Sequence, residues 1–243
     1  MKYKDLFLDF DDTLYDTHGN SVIALQELFD DFHLERYFPD AQVFYDAYWE
    51  ANIDLWTRYS KGEITRDYLI EERFRRPLMV SEAFRAKASS HLSPLSTYLL
   101  NISDRFLEFC SNKPGVLEGA HELMDDLKEK GYRMHMTSNG FHEVQYKKLA
   151  ACGLMDYFDT IILSEDAGVN KPSPQFFSYA LEQSGAQRET TLMIGDNLQT
   201  DILGALNAGI DALLYNRWNA ETNDVEPAPT FVVERLLDIT DIL

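Results

Sequence analysis

Lys4-Asp5-Leu6-Phe7-Leu8-Asp9-Phe10-Asp11-Asp12-Thr13-Leu14 opens on an apolar run and closes in carboxylates. The apolar run reads as a buried strand from about Lys4 to Phe10. Side chains alternate along a strand, so Asp9 and Asp11 point the same way until the chain turns, and both are expected at one edge of a sheet. Like charges that close raise each other's proton affinity unless a cation or proton is shared between them. The stretch therefore suggests a hard-metal site with a carboxylate free to attack. An acidic turn after a buried strand, with Asp12 capping the next segment, accounts for the same residues.

Later segments weigh between these readings. Tyr132-Arg133-Met134-His135-Met136-Thr137-Ser138-Asn139-Gly140 runs as a strand into a small polar turn, and Val169-Asn170-Lys171-Pro172 sets a lone lysine before a proline in a loop. Thr191-Leu192-Met193-Ile194-Gly195-Asp196-Asn197, with Asp201 just beyond, closes another apolar strand in acid. In an open α/β sheet the carboxyl ends of the strands are where ligands bind. Polar endings repeated in this order favour a functional site.

Between about residues 17 and 114 the pattern is helical. Val22, Leu25, Leu28, Phe29 and Phe32 recur at steps of three and four, as do Val43, Phe44, Ala47, Ala51 and Leu55. Further helices are expected from near Thr65, from near Ser81, and from Ser93-Pro94 to Cys110. After the breaker Lys113-Pro114-Gly115, helices and strands alternate: helices over 119–130, 143–152, 174–184 and 198–208, strands over 132–138, 160–163, 191–194, 212–215 and 230–233. The alternation predicts an α/β fold, a doubly wound parallel sheet over residues 1–16 and 115–243. The helical block at 17–114 is expected as an inserted cap docked over the sheet's carboxyl edge. Asn219 to Pro229 reads as a solvated connection.

The 243 residues suffice for a large domain with an inserted module, and a hydrophobic fraction of 45% allows a substantial core. A formal net charge of -19 disfavours a nucleic-acid polymer or an anionic membrane surface as partner. Cys110 and Cys152 lack metal-ligand spacing and read as small buried residues. With no export signal and no long apolar run, a cytoplasmic location is expected.

On these residues and their order, the chain resembles the haloacid dehalogenase-like superfamily, whose members are mostly magnesium-dependent phosphohydrolases. Its four motifs are matched by Asp9 to Leu14, by Ser138-Asn139, by Lys171-Pro172, and by Gly195-Asp196 with Asp201. The stretch from Leu55-Trp56 through Tyr59 and Gly62 to Ile64-Thr65, then Arg73-Phe74, is similar to the helical cap of the pyrimidine-nucleotidase branch, and Ser138 to Phe141 and Asp201 to Gly204 also look like that branch. The resemblance implies Asp9 as nucleophile, forming an aspartyl-phosphate, and Asp11 as general acid and then base, with a pKa above that of Asp9. It implies a Mg2+ ion held by the Asp9 and Asp196 carboxylates and the Asp11 backbone carbonyl, with Asp201 behind them. Ser138, Asn139 and Lys171 would bind phosphate, although a helix cap, a turn asparagine and a solvated lysine are the ordinary readings of such residues.

The implied activity is a phosphatase for a small phosphorylated metabolite, first of all a nucleoside 5'-monophosphate. A phosphosugar phosphatase or mutase would use the same motifs, and a non-enzymatic phosphate-binding module stands as the alternative from another class. A dehalogenase is opposed by Asp11 and Asp196. In the helical block Tyr45, Tyr48, Trp49, Trp56 and Tyr59 read mainly as core, the run Arg73, Arg75, Arg76 as a solvated face, and His135 as a packed core residue.

Overall fold

A computed structural model describes residues 2–90, 95–222 and 225–243. The chain divides into two compact units, Met1–His18 with Pro114–Leu243 and Gly19–Lys113. The first is built on a six-stranded sheet in the order β3-β2-β1-β4-β5-β6. Its strands are β1 (Asp5–Leu8), β2 (Arg133–Ser138), β3 (Thr160–Leu163), β4 (Thr191–Gly195), β5 (Asp211–Tyr215) and β6 (Phe231–Val233). Every pairing is parallel, with Leu8 opposite Met136 on one side and Ile194 on the other.

Parallel strands covered on both faces read as unbroken apolar runs, and β1 does so because its alternate residues enter different cores. Leu6 and Leu8 pack with Leu123, Met124, Leu127, Met134, Met136 and Ile194. Phe7 faces the other way, into Phe176, Phe177, Met193, Ile202 and Leu214. The helices α6 (Ala120–Glu129) and α7 (His142–Cys152) lie on the first face, and α9 (Pro174–Ser184) and α10 (Leu203–Asn207) on the second. This is the expected doubly wound α/β architecture. A short α8 (Ser164–Ala167) comes after β3.

The chain adds β2 and β3 on one side of β1 and β4 to β6 on the other, so connections diverge between β1 and β4. Such a switch point opens a crevice at the carboxyl edge of the sheet. Asp9 and Asp196 come directly after those two neighbouring strands.

The second unit is helical: α1 (Thr17–Asp31, which begins in the first unit), α2 (Ala41–Ser60), α3 (Arg66–Leu78), α4 (Glu82–Ser90) and α5 (Leu95–Ser111). Its core gathers Leu25, Leu28, Phe44, Tyr48, Phe74, Leu99, Ile102 and Phe106. Tyr48 sits 5.5 Å from the Phe74 ring and 5.3 Å from the Phe106 ring.

Several expectations need correction. Val22 and Val43 are exposed, while Asn20 and Ser21 of α1 are buried. Arg73, expected on a solvated face, is 2% exposed; it donates to Ser103 Oγ at 3.1 Å and lies over the Phe106 ring. A planar, weakly hydrated guanidinium tolerates aromatic surroundings that an ammonium would not. The helix expected over 198–208 is a π-helical turn at Leu198–Ile202 followed by α10. The helix start expected at Ser93-Pro94 lies outside the described residues. Cys110 and Cys152 are buried free thiols, and no helix among the described residues is long and apolar enough to cross a membrane.

Candidate active site

The strand β1 ends one residue before Asp9, whose backbone N–H still bonds to Ile194 O at 2.9 Å. A tight loop comes next, closed by Asp12 N to Tyr15 O at 2.8 Å and by Leu14 N and Tyr15 N to Phe10 O, with Asp12 at φ 60°. Because the chain turns this early, Asp9 and Asp11 do not share one environment. Asp9 faces β4 and the Lys171 loop, and Asp11 faces α7.

Asp9 is 7% exposed, with Oδ1 accepting from Lys171 Nζ at 2.8 Å and Oδ2 from Thr13 Oγ1 at 2.9 Å. Lys171 is itself buried, and its ammonium also donates to Asp201 Oδ1 at 2.6 Å and to Thr137 O at 3.0 Å. Burial alone would lower the lysine pKa, but the charges of Asp201 and Asp9 hold it above its ordinary value. The lone loop lysine is thus a fully engaged cation. Its backbone is fixed by Asn139, whose Nδ2 donates to Lys171 O at 2.9 Å and whose Oδ1 accepts from Lys171 N at 2.8 Å. Both ends of the Asn139 amide thus help to position Lys171.

Thr13 joins the acids. Besides donating to Asp9 it lies 3.4 Å from Asp196 Oδ1 and accepts from Asp196 N at 3.0 Å. Asp9, Asp196 and Asp201 each offer an oxygen within 4.8 Å of the others. Asp201 is committed, however, with Oδ1 on Lys171 and Oδ2 accepting from Asn197 N at 3.2 Å. It supports the lysine from below β4. Gly195 permits this, since a Cβ there would meet Asp201 Oδ2 at 2.5 Å.

Burial, then the charge of Asp201, raises the Asp9 pKa to about 7. Burial and the neighbouring Asp9 raise Asp196 well above the carboxylate range. Hard oxygen donors crowded until they resist ionisation are what a divalent cation relieves, so the donor set fits such an ion. This sets a pH dependence. A folded pKa above the unfolded one favours folding fully below about pH 4, and that contribution is lost as pH rises through about 7. Without divalent ions the protein should therefore melt lower at about pH 8 than at about pH 6. Added Mg2+ should raise the melting temperature more at the higher pH, because proton and ion compete for the same oxygens. Thermal scans at the two pH values check this; an Mg2+ effect larger at the lower pH would contradict it.

Asp11 corrects another expectation. Its carboxylate accepts from Thr17 Oγ1 at 2.6 Å and also bonds Gln145 Nε2 and Lys148 Nζ. Burial pushes its pKa up, but the Lys148 charge with those bonds outweighs it, so Asp11 sits below the ordinary range and below Asp9. The order is the reverse of that implied by a resting general acid. In this clasp Asp11 only accepts, and donating a proton requires it to leave.

Gln145 and Lys148 are one turn apart on α7, and both are buried. Gln145 reaches the site because Gly140 has no Cβ; one built there would lie 1.6 Å from Gln145 Nε2. Ser138 Oγ accepts from Gly140 N at 2.9 Å and from Gln145 Nε2 at 3.0 Å, which leaves its own proton for a ligand oxygen. Asp12 does cap the start of the next segment, with Oδ1 accepting from His18 N at 3.0 Å.

This fold and motif set define a class. The haloacid dehalogenase-like hydrolase model matches residues 3–209, and the chain belongs to that family. It is 33% identical over 244 residues to pyrimidine 5'-nucleotidase PynA of Streptococcus pneumoniae, covering 100% of this chain and 96% of that one. It is 32% identical over 244 residues to pyrimidine 5'-nucleotidase YjjG of Escherichia coli, covering 100% and 99%. A crystal structure of YfnB from Bacillus subtilis bound to magnesium matches with a TM-score of 0.81 at 28% identity, covering 100% of this chain and 99% of that one.

Proposed function

We propose that the protein is a Mg2+-dependent phosphatase that hydrolyses nucleoside 5'-monophosphates, pyrimidine ones first, through an aspartyl-phosphate on Asp9. The observation that carries this reading is the Asp9 carboxylate, set at the sheet's switch point between the Lys171 ammonium and the Thr13 hydroxyl and beside Asp196. The full-length likeness to two pyrimidine 5'-nucleotidases supports the substrate class.

Asp9 and Asp196, with the Asp11 backbone carbonyl, would hold the ion. When bound, the ion supplies positive charge that neutralises the phosphoryl oxygens and keeps Asp9 ionised. Ser138 binds a phosphoryl oxygen, and Lys171, whose three donors go to Asp9, Asp201 and Thr137, fixes the attacking carboxylate and adds positive charge beside the phosphoryl group. Asp9 attacks phosphorus, a P–O bond to Asp9 forms, and the ester P–O bond breaks. Phosphoryl transfer has a loose transition state, so positioning and charge supply most of the acceleration. Asp11, released from Lys148 and Gln145 and protonated, gives its proton to the leaving oxygen. It then takes a proton from the water that attacks the phosphoryl group and frees phosphate. The phosphate contacts are common to every monoester, so discrimination belongs to groups that meet the nucleoside.

With Mg2+ present, UMP or dTMP should have a higher kcat/KM than hexose phosphates, and excess chelator should abolish turnover of both. A ranking led by hexose phosphates would reject the nucleotidase reading while leaving the phosphatase. Undiminished turnover in chelator would reject the ion.

A further inference from the structure

The loop after β5 brings two side chains to the acidic edge that nothing in their sequence pattern marks. Its shape is set by its own bonds: Asn216 Oδ1 accepts from Ala220 N at 2.7 Å, Asn216 Nδ2 donates to Ala220 O at 3.1 Å, and Asn216 N donates to Val233 O at 2.7 Å. Arg217 Nη1 donates to Asp12 Oδ1 at 3.0 Å, and Nη2 lies 3.7 Å from Asp16 Oδ1. Its guanidinium stacks 4.4 Å from the centre of the Trp218 ring, and the His18 ring meets that ring edge-on at 5.8 Å. Held in this way, the indole donates from Nε1 to Asp196 Oδ2 at 2.8 Å.

Trp218 is 50% exposed, so burial of its ring does not account for its place. Its polar bond ends instead on a carboxylate of the acidic cluster. The two Asp196 oxygens are thereby made unequal: Oδ2 is taken by the indole, and Oδ1 lies on the side of Thr13 and Asp9. A neutral N–H donor is well suited to such a task. It fixes the carboxylate rotamer without bringing a positive charge that would repel a cation, and the guanidinium of the adjacent Arg217 is paired with Asp12 and Asp16.

We propose that Trp218 is a positioning residue for divalent-ion binding, orienting Asp196 so that Oδ1 is presented to the ion. The inference rests on the reading of Asp196 as an ion ligand. Hydrogen bonds to ligating carboxylates are worth roughly 10–100-fold in metal affinity.

Trp218→Phe keeps an aromatic ring for Arg217 to stack on and deletes the N–H. In the full-length protein, Mg2+ affinity is measured by calorimetry and by the Mg2+ concentration that gives half-maximal turnover of UMP. The expected result is affinity weakened by roughly 10–100-fold, with kcat at saturating Mg2+ within about threefold of the unaltered protein and an unchanged ion-free melting temperature. Wild-type Mg2+ affinity in the variant would overturn the proposal, as would a lower kcat at unchanged affinity. Absence of Mg2+ binding by the unaltered protein would overturn the reading of Asp196 as well, which separates the two failures.

Discussion

Asp9→Asn should leave a folded protein whose turnover of phosphomonoesters falls by roughly 10^4-fold or more, the scale seen when a covalent nucleophile is removed. The amide is nearly isosteric and its Oδ1 still accepts a bond, so Lys171 or Thr13 keeps a partner at this position. What disappears is the anionic oxygen that attacks phosphorus. The loss should be alike for a nucleotide and for nitrophenyl phosphate, since both need the same attack on phosphorus. Steady-state rates with circular dichroism to confirm folding check this, and a loss under tenfold would contradict the role of Asp9.

Lys171→Met should act on stability as well as rate. The ammonium is buried among Asp9 Oδ1, Asp201 Oδ1 and Thr137 O, and its removal leaves two buried carboxylates and a carbonyl without it. Removing one partner of a buried charged pair costs about 3–5 kcal/mol, which for a chain of this size is a fall in melting temperature of roughly 6–20 °C. Because the damage is repulsion between acids, Asp9→Asn in the same chain should restore part of the stability, as contacting residues are coupled. Thermal or urea unfolding of the single and double variants tests this. A Lys171→Met protein as stable as its parent would show that the lysine is not the counter-ion described.

The parts legible in the sequence were those where one strand pattern ends in one polar group. Asp9, Ser138 and Asp196 each close an apolar run whose period is local, so the parallel sheet and its polar edge could be read from spacing. Lys171 was legible by its place in the order of motifs, and its burial was not, since the cage of Asp9, Asp201 and Thr137 forms only on folding. Gln145 and Lys148 stayed hidden for a related reason. Polar residues one turn apart on a helix read as a solvated face, and only the missing Cβ of Gly140 lets Gln145 reach Ser138 and Asp11. The order of the two aspartate pKa values was inverted because the Lys148 charge beside Asp11 comes from a segment remote in sequence. Arg73 was misread for want of any local signal that its neighbours in space would be Ser103 and Phe106 rather than water. Trp218 comes just before the stretch Asn219 to Pro229 that reads as a connection, and no local pattern marks it.

The central claim is a covalent phosphoryl group on Asp9, and it is tested most directly by trapping. Wild-type protein with Mg2+ is mixed with substrate bearing radioactive phosphate, quenched in acid within the first turnovers, digested, and the labelled peptide is sequenced by mass spectrometry. The expected result is acid-stable, hydroxylamine-labile label on the peptide that carries Asp9, and none in Asp9→Asn. Label on another residue, or turnover without labelled protein under conditions where dephosphorylation limits the rate, would contradict it.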